Sequence, residues 1–350
     1  MRIPRWRAQP YERADALGGA HVSPLERPVG AFRDRRRLVV KRLLVTGRHG
    51  FVGRTVAQLV ASERSLSQWH LAPVSEQFDL RKPEAVRALV AEASPDAVVH
   101  LAAQSSVADS LRDPAGTIEV NVLGTLHLLQ ALKDARFDGP VLFVSSGDVY
   151  GKVPDASLPI SEQQLPAPRN PYAASKLGAE ALCHQWTITT GMHVVVARPF
   201  NHIGPGQGDQ FAIPAFARQI AEIRSGLREP VVAVGDIDVT RDFTDVRDIV
   251  FAYFALLERG RSGECYNVCS GRERTVRSLL ERLIGLAGVD VRIVPDEKRM
   301  RPSEHRRAVG DATKIREATG WQARMPLDES LSALLTSFQR QGEGIHAGRS

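Results

Sequence analysis

The chain's 350 residues exceed the roughly 250–300 at which one hydrophobic core stops growing, so two lobes are expected, and 43% hydrophobic with 25% charged residues describes a globular protein. A net charge of +6 resembles a nucleic-acid signal until it is divided: 11 Lys/Arg against 4 Asp/Glu put +7 on residues 1–42, and 35 against 36 leave −1 on the rest. Without positive charge on the folded part a nucleic-acid surface is excluded, and no run of 18 apolar residues is present to cross a membrane.

Residues 1–38 carry seven prolines and glycines beside the run Arg35-Arg36-Arg37 and show no apolar periodicity, so they read as a disordered basic N-terminal extension. No apolar stretch follows the arginines as in a secretory signal, and four acids sit poorly with a transit peptide, which leaves a cytoplasmic protein; a start placed upstream of the fold accounts for the segment equally well. The fold begins at Arg42-Leu43-Leu44-Val45-Thr46, an apolar run that reads as a buried parallel strand. Gly47-Arg48-His49-Gly50-Phe51-Val52-Gly53 then opens a helix, and its glycines let the backbone turn tightly and bring amides against a pyrophosphate. A plain glycine turn has the same composition; the order strand, glycines, helix favours the dinucleotide site. The acid that would hold an adenosine ribose is missing from the end of the second strand, near 69–74, and Glu76 falls in a loop. Arg48 is placed to meet a 2′-phosphate, so the cofactor reads as NADPH, with NADH also used.

Apolar runs at 97–101, 141–144 and 193–197 alternate with helical patterns at 83–93, 116–133 and 171–188, which predicts an α/β fold: a Rossmann-type, doubly wound parallel sheet. Small and polar residues cluster just past three strand ends, where open sheets bind ligands: Ala102-Ala103-Gln104, Ser145-Ser146-Gly147-Asp148 and Arg198-Pro199-Phe200-Asn201-His202. In Asn170-Pro171-Tyr172-Ala173-Ala174-Ser175-Lys176, proline suits the first helical position, and Tyr172 and Lys176 share one face at i, i+4. An ammonium beside a phenol lowers the phenol pKa from roughly 10. Ser146, Tyr172 and Lys176 therefore form a set in which a hydroxyl polarises a carbonyl, a phenol protonates it and a cation tunes the phenol. Cys183, Cys265 and Cys269 lack the paired spacing of zinc sites and read as reduced thiols, so no metal is expected.

Residues 41–340 resemble the extended short-chain dehydrogenase/reductase family acting on nucleotide sugars. The shared motifs are the glycine loop, Asp79-Leu80, His100-Leu101-Ala102-Ala103-Gln104, Asn121-Val122-Leu123-Gly124-Thr125, Ser145-Ser146-Gly147-Asp148-Val149-Tyr150-Gly151, the Tyr172/Lys176 pair and Arg198-Pro199-Phe200-Asn201-His202-Ile203-Gly204-Pro205. Gly235-Asp236-Ile237-Asp238-Val239-Thr240-Arg241-Asp242-Phe243 and Arg299-Met300-Arg301 narrow the likeness to the GDP-6-deoxy-mannose reductases that make GDP-rhamnose for glycan or lipopolysaccharide assembly. The resemblance implies a cofactor held by Gly47, Arg48, Gly50, Phe51, Val52, Gly53, Asp79, Leu80, Leu101, Ala102, Ala103, Asn121, Tyr172 and Lys176, the Asn121 amide also supporting the active-site backbone. It implies a nucleotide-sugar substrate, GDP-4-dehydro-6-deoxy-mannose, met by Gln104, Ser146, Gly147, Asp148 and Asn201, with Arg241, Arg299 and Arg301 on the diphosphate and Glu304 on the ribose. A solvated basic loop is the alternative for the last arginines, because 298–307 holds five Lys/Arg. His202 and Cys269 read as structural.

The resemblance also implies a homodimer built from the helices at 116–133 and 171–188. The expected lobes interleave: a cofactor lobe of 41–199 with 240–265, a smaller C-terminal α/β substrate lobe of 200–239 with 266–340, and a flexible tail at 341–350. One departure separates reaction types. Sugar-nucleotide 4,6-dehydratases carry an acid-capable residue and then a Glu after the catalytic hydroxyl, whereas this chain has Gly147 and the shorter Asp148, so elimination loses its machinery and reduction does not. A 4-epimerase uses the same Ser, Tyr and Lys, a silent NADP(H)-sensing member would bind without turnover, and pocket shape decides between rhamnose and the 6-deoxy-talose epimer. Deleting residues 1–38 is expected to leave melting temperature and activity unchanged; a clear loss of either would show that the segment packs on the fold.

Overall fold

The computed structural model describes residues 40–75, 78–299 and 306–347, apart from the side chains of Lys298 and 341–347. The expectations for 1–38, Glu76, Arg301 and Glu304 fall outside the described residues. The strands are β1 (Lys41–Thr46), β2 (Trp69–Leu71), β3 (Ala97–His100), β4 (Val141–Val144), β5 (Val194–Pro199), β6 (Asn201–Ile203), β7 (Val231–Val234), β8 (Thr240–Asp245), β9 (Cys265–Val268), β10 (Glu273–Thr275) and β11 (Arg292–Pro295). The helices are α1 (Phe51–Ser62), α2 (Pro83–Ala93), α3 (Val107–Arg112), α4 (Pro114–Ile118), α5 (Gly124–Asp134), α6 (Pro171–Thr190), α7 (Ala212–Arg224), α8 (Val246–Arg259), α9 (Val276–Ala287), α10 (Thr313–Thr319) and α11 (Leu327–Ala347).

Six strands form one parallel sheet in the order β2-β1-β3-β4-β5-β9. Its strands are apolar at successive positions, and successive side chains point to opposite faces, so both faces demand cover. Leu43, Val45, Val99, Leu142 and Val195 pack with α1 and α8, whereas Leu44, Val98, Val141, Phe143, Val194 and Val196 pack with α2, α5 and α6. Each such side chain contributes about 1.5–3 kcal/mol when fully buried, which is why the apolar runs end up in one doubly wound sheet. Consecutive strands leave β1 in opposite directions, and the crevice between the ends of β1 and β3 is the ligand position of such sheets.

A separate apolar cluster joins α7, α9 and α11 through Ile213, Phe216, Ile220, Leu279, Leu280, Leu283, Leu331 and Leu334, beside the parallel pair β7 and β11. Some expected boundaries move. Strand β8 pairs with β6 and β10 in a small sheet instead of joining the parallel one, while 266–268 belong to β9 at the edge of the parallel sheet. Ile315 and Trp321 also return to the cofactor side, joining the apolar cluster that holds Leu43 and Val45, next to α8 and β9. They are apolar and help bury α8; the Trp321 indole N–H donates to the Asp248 carbonyl at 3.0 Å. Residues 341–347, expected within a flexible tail, continue α11. Extending a helix already anchored by Leu331, Leu334 and Leu335 costs far less than starting one.

The helix expected at 116–133 is interrupted: a π-helical turn at Glu119–Leu123 separates α4 from α5. No helix among the described residues is long and apolar enough to cross a membrane.

Candidate active site

The glycine loop closes on itself and on the end of β3. Gly47 has φ +74°, and a Cβ there would lie 2.7 Å from the Ala102 nitrogen; a Cβ on Gly53 would lie 2.6 Å from the Arg48 Cα. Only glycines permit these approaches. No side chain caps α1 and its first turn holds no acid, so the amides and positive dipole end of a 12-residue helix are left to an anion. They face a cavity of about 370 Å³ lined by Gly47, Gly50, Asp79, Leu80, Ala102 and Gln104 among others. That cradle fits a dinucleotide. Arg48 sits at the edge, its guanidinium donating to the Ala72 carbonyl just past β2 at 3.2 Å. Phe51 turns away and stacks on His202, ring centroids 5.9 Å apart, and the surrounding protein holds the His202 pKa below its ordinary value. Val52 packs against the core beneath α1.

Asp79 lines the cavity with its carboxylate paired to Arg81 at 2.8 Å, and the Arg81 hydrogen bonds hold its pKa down. Leu80 is buried, its carbonyl in contact with the His127 ring nitrogen at 2.9 Å. Leu101, Ala102 and Ala103 run along the β3 end, where the Leu101 amide donates to the Thr46 carbonyl at 3.2 Å. Asn121 is spent entirely within the protein. Its Oδ1 accepts from the Gln104 amide at 2.8 Å, and its Nδ2 donates to the Gln104 carbonyl at 2.9 Å and to Ser175 Oγ at 2.8 Å. The π turn explains this reach: one extra residue in the turn pushes the side chain out of the helical register and onto the strand end. Asn121 thus belongs to the support of the site and not to its surface. The Gln104 side-chain amide likewise turns back, donating to the Ser106 carbonyl at 3.1 Å and accepting from the Ser106 amide at 2.6 Å.

Helix α6 begins where the Asn170 side chain accepts from the Ala173 amide at 2.8 Å and Pro171 fills the first position. This start aims Tyr172 at the turn Gly147–Tyr150, whose cap is Ser146. Surrounding protein raises the Tyr172 pKa and the neighbouring Asp148 carboxylate raises it further, while a hydrogen bond with Ser146 lowers it. The depression expected from Lys176 is not what this structure shows. The Lys176 ammonium points down, donating to the Val144 carbonyl at 2.8 Å, 5.1 Å from the centre of the Phe143 ring. Burial brings Lys176 down to about 8. Asp148 is exposed on the Gly147–Tyr150 turn, yet the protein around its carboxyl raises its pKa, with Arg241 opposing. Gly147 lies against Phe200, where even a Cβ would come within 3.2 Å of the ring.

On the substrate side, Asn201 is exposed at the start of β6, next to Phe243 in register. Arg241 is half-buried on β8 and donates to its neighbour's carbonyl, Thr240, at 2.6 Å. Arg299 is exposed and pairs with Asp296 at 3.2 Å. Cys183 and Cys269 are buried and Cys265 half-buried, all three as free thiols. Two groups at the site are missed by reasoning from the sequence. Asp242, fully buried, accepts from the Ser270 and Gly271 amides at 2.8 and 2.9 Å and so fixes the turn beside Arg241. Arg198 and Glu180 form a buried pair behind Lys176; its signal is the continuation of the Tyr172/Lys176 face by four more residues.

A family model described as GDP-mannose 4,6-dehydratase matches residues 68–334. The GDP-6-deoxy-D-mannose reductase of Pseudomonas aeruginosa is 50% identical over 301 residues, covering 86% of this chain and 98% of that protein. The UDP-glucose 4-epimerase of Mycolicibacterium smegmatis is 31% identical over 324 residues, covering 86% of this chain and all of that one. Among solved structures, RMD from Pseudomonas aeruginosa complexed with NADPH superposes with a TM-score of 0.82 at 49% identity, covering 87% of this chain and 99% of that one.

Proposed function

The chain belongs to the GDP-mannose 4,6-dehydratase family of extended short-chain dehydrogenase/reductases, and from that premise we propose that it reduces the 4-keto group of GDP-4-dehydro-6-deoxy-D-mannose to give GDP-6-deoxy-D-mannose (GDP-D-rhamnose). The observation that carries this reading is the 50% identity to a reductase of that product over nearly its whole length. Gly147 supports it locally, since it replaces the proton-donating residue elimination needs and leaves Ser146 and Tyr172 in place.

The glycine cradle and the Arg48, Asp79 and Leu80 positions would hold NADPH, which supplies the hydride for C4 of the sugar. Tyr172 donates the proton to the C4 oxygen, and the Ser146 hydroxyl stabilises the charge developing there. A phenol kept protonated by its surroundings suits donation. Lys176, with donors beyond its bond to Val144, would bind the nicotinamide ribose and lower the phenol pKa once its charge is drawn toward that site. Arg241 and Arg299 would receive the diphosphate and Asn201 the sugar. Arg301 and Glu304 belong to the same proposal on the family motif alone.

The test is stoichiometric: added ketosugar nucleotide should oxidise one equivalent of NADPH, with NMR of the product showing the rhamnose configuration. An epimerase would recycle its cofactor, a sensor would turn nothing over, and a 6-deoxy-talose product would mean hydride delivery to the other face. NADH is expected to work less well. One partly exposed guanidinium–phosphate contact of about 1.5–3 kcal/mol gives a preference of one to two orders of magnitude. Arg48→Ala should therefore raise the Michaelis constant for NADPH by roughly 10- to 100-fold and leave that for NADH nearly unchanged; equal effects would mean that Arg48, through Ala72, shapes the loop.

The protein is proposed to act in the cytoplasm as a homodimer. The face of 116–133 and α6 supports this, with Ile118 and Leu123 41% and 43% exposed and Ala174 and Ala181 bare on α6. Small residues there let two helices approach closely.

A further inference from the structure

Helix α6 carries a third functional position on the face that holds Tyr172 and Lys176. Residues at i, i+4 and i+8 stack one above another, with β-carbons about 5–6 Å apart at each step, and the residue below Lys176 is Glu180. Its carboxylate is forked onto Arg198 from β5, with Arg198 Nε and Nη2 donating at 3.0 and 2.6 Å. Each side chain is only 8% exposed. The Arg198 guanidinium in turn lies 4.8 Å from the centre of the Tyr150 ring, and the Tyr150 hydroxyl donates to Asn267 Oδ1 at 2.6 Å. Two cations and one anion, Lys176, Arg198 and Glu180, are thus enclosed together.

A buried ion pair is weak evidence for stability, because desolvation consumes most of the attraction. Its position is more telling. From β4, Lys176 meets the Phe143 ring and the Val144 carbonyl. From β3 it faces His100, held at about 3 and therefore neutral by burial and by Lys176 itself, between Thr46 and Thr125. On α6 its titratable neighbours besides Glu180 are Tyr172 and Cys183, both neutral because burial or enclosure pushes them up. With Cys183 neutral, Glu180 is the carboxylate whose charge opposes the fall of the Lys176 pKa.

We infer that Glu180, clamped by Arg198, is the positioning residue that keeps the Lys176 ammonium charged beside the site proposed for the nicotinamide ribose. The inference rests on the proposed function only in its kinetic consequence. Its direct test is a titration of the unliganded protein by NMR of ¹³Cε-labelled lysine, the Lys176 signal being identified by its loss in Lys176→Arg. The wild-type midpoint is expected near the value that burial imposes, about 8. Glu180→Gln leaves two enclosed cations facing each other and should lower the midpoint by about one unit or more. Arg198→Met frees the carboxylate and should raise it.

Opposite shifts on deleting opposite charges cannot come from loosened packing. If either single variant fails to fold, Glu180→Gln/Arg198→Met, which leaves no unpaired charge behind, should titrate below the wild type but above Glu180→Gln, because the nearer of the two lost charges is the anion. Folded variants whose midpoints stay with the wild type, or move in the same direction, overturn the inference. The alkaline limb of ketoreduction should follow the same shifts: activity is present where Lys176 is protonated and lost as pH rises through its midpoint. A wild-type protein without reductase activity would overturn the proposed function and leave the titration untouched.

Discussion

Tyr172→Phe should lower turnover by roughly 100-fold or more with NADPH binding nearly intact. The substitution keeps the ring at the start of α6 and removes one oxygen, so the Asn170 cap, the Pro171 start and the descent of Lys176 to Val144 are undisturbed. What goes is the proton for C4 oxygen. Water is a poor substitute because the phenol is set among protein atoms, the enclosure that raises its pKa. The sign of that shift matters for pH dependence. A phenol whose pKa is raised stays protonated through the neutral range, so reduction in the absence of other titrations would not fall with pH until Lys176, at about 8, begins to lose its proton. The measurement is kcat by NADPH oxidation alongside NADPH affinity by fluorescence. A variant keeping more than half of wild-type turnover would remove Tyr172 from the chemistry.

How much of this could be read in the sequence follows from what each feature depends on. The strands of the parallel sheet were legible because burial on both faces writes itself as continuous apolar runs such as Leu43-Leu44-Val45 and Val194-Val195-Val196. The Tyr172 and Lys176 pairing was legible because four residues make one helical turn. The π turn at 119–123 was not, since one extra residue does not disturb the apolar periodicity that marks 116–133 as helix. Nor was the return of Ile315 and Trp321 to the cofactor side, a tertiary choice that local pattern does not encode. Spacing predicted that Lys176 would depress the Tyr172 phenol, but spacing cannot show that the ammonium is drawn down to the Val144 carbonyl. Glu180 and Arg198 are 18 residues apart, and a glutamate on a helix reads as solvated until the fold buries it.

The same substitution at two glycines should act in opposite directions. Gly53 and Gly285 both lie in helices, where alanine is preferred over glycine by about 1 kcal/mol. At Gly285, on α9, a new Cβ would meet nothing within 4 Å, so Gly285→Ala should stabilise the protein by up to that amount. At Gly53 the new Cβ would meet the Gly47 carbonyl and lie 2.6 Å from the Arg48 Cα, about 1 Å inside ordinary carbon–carbon contact. Both neighbours are backbone and cannot swing aside, so the loop must move bodily. Gly47 cannot follow easily, because it is itself packed against the Ala102 backbone. The displaced amides would no longer converge on a pyrophosphate, and a misplacement of about 1 Å is worth roughly 100-fold where geometry is critical. Gly53→Ala should therefore weaken NADPH binding by roughly 10- to 100-fold and lower the melting temperature, with calorimetry reading both. Unchanged affinity would mean that the loop's amides are not the pyrophosphate site.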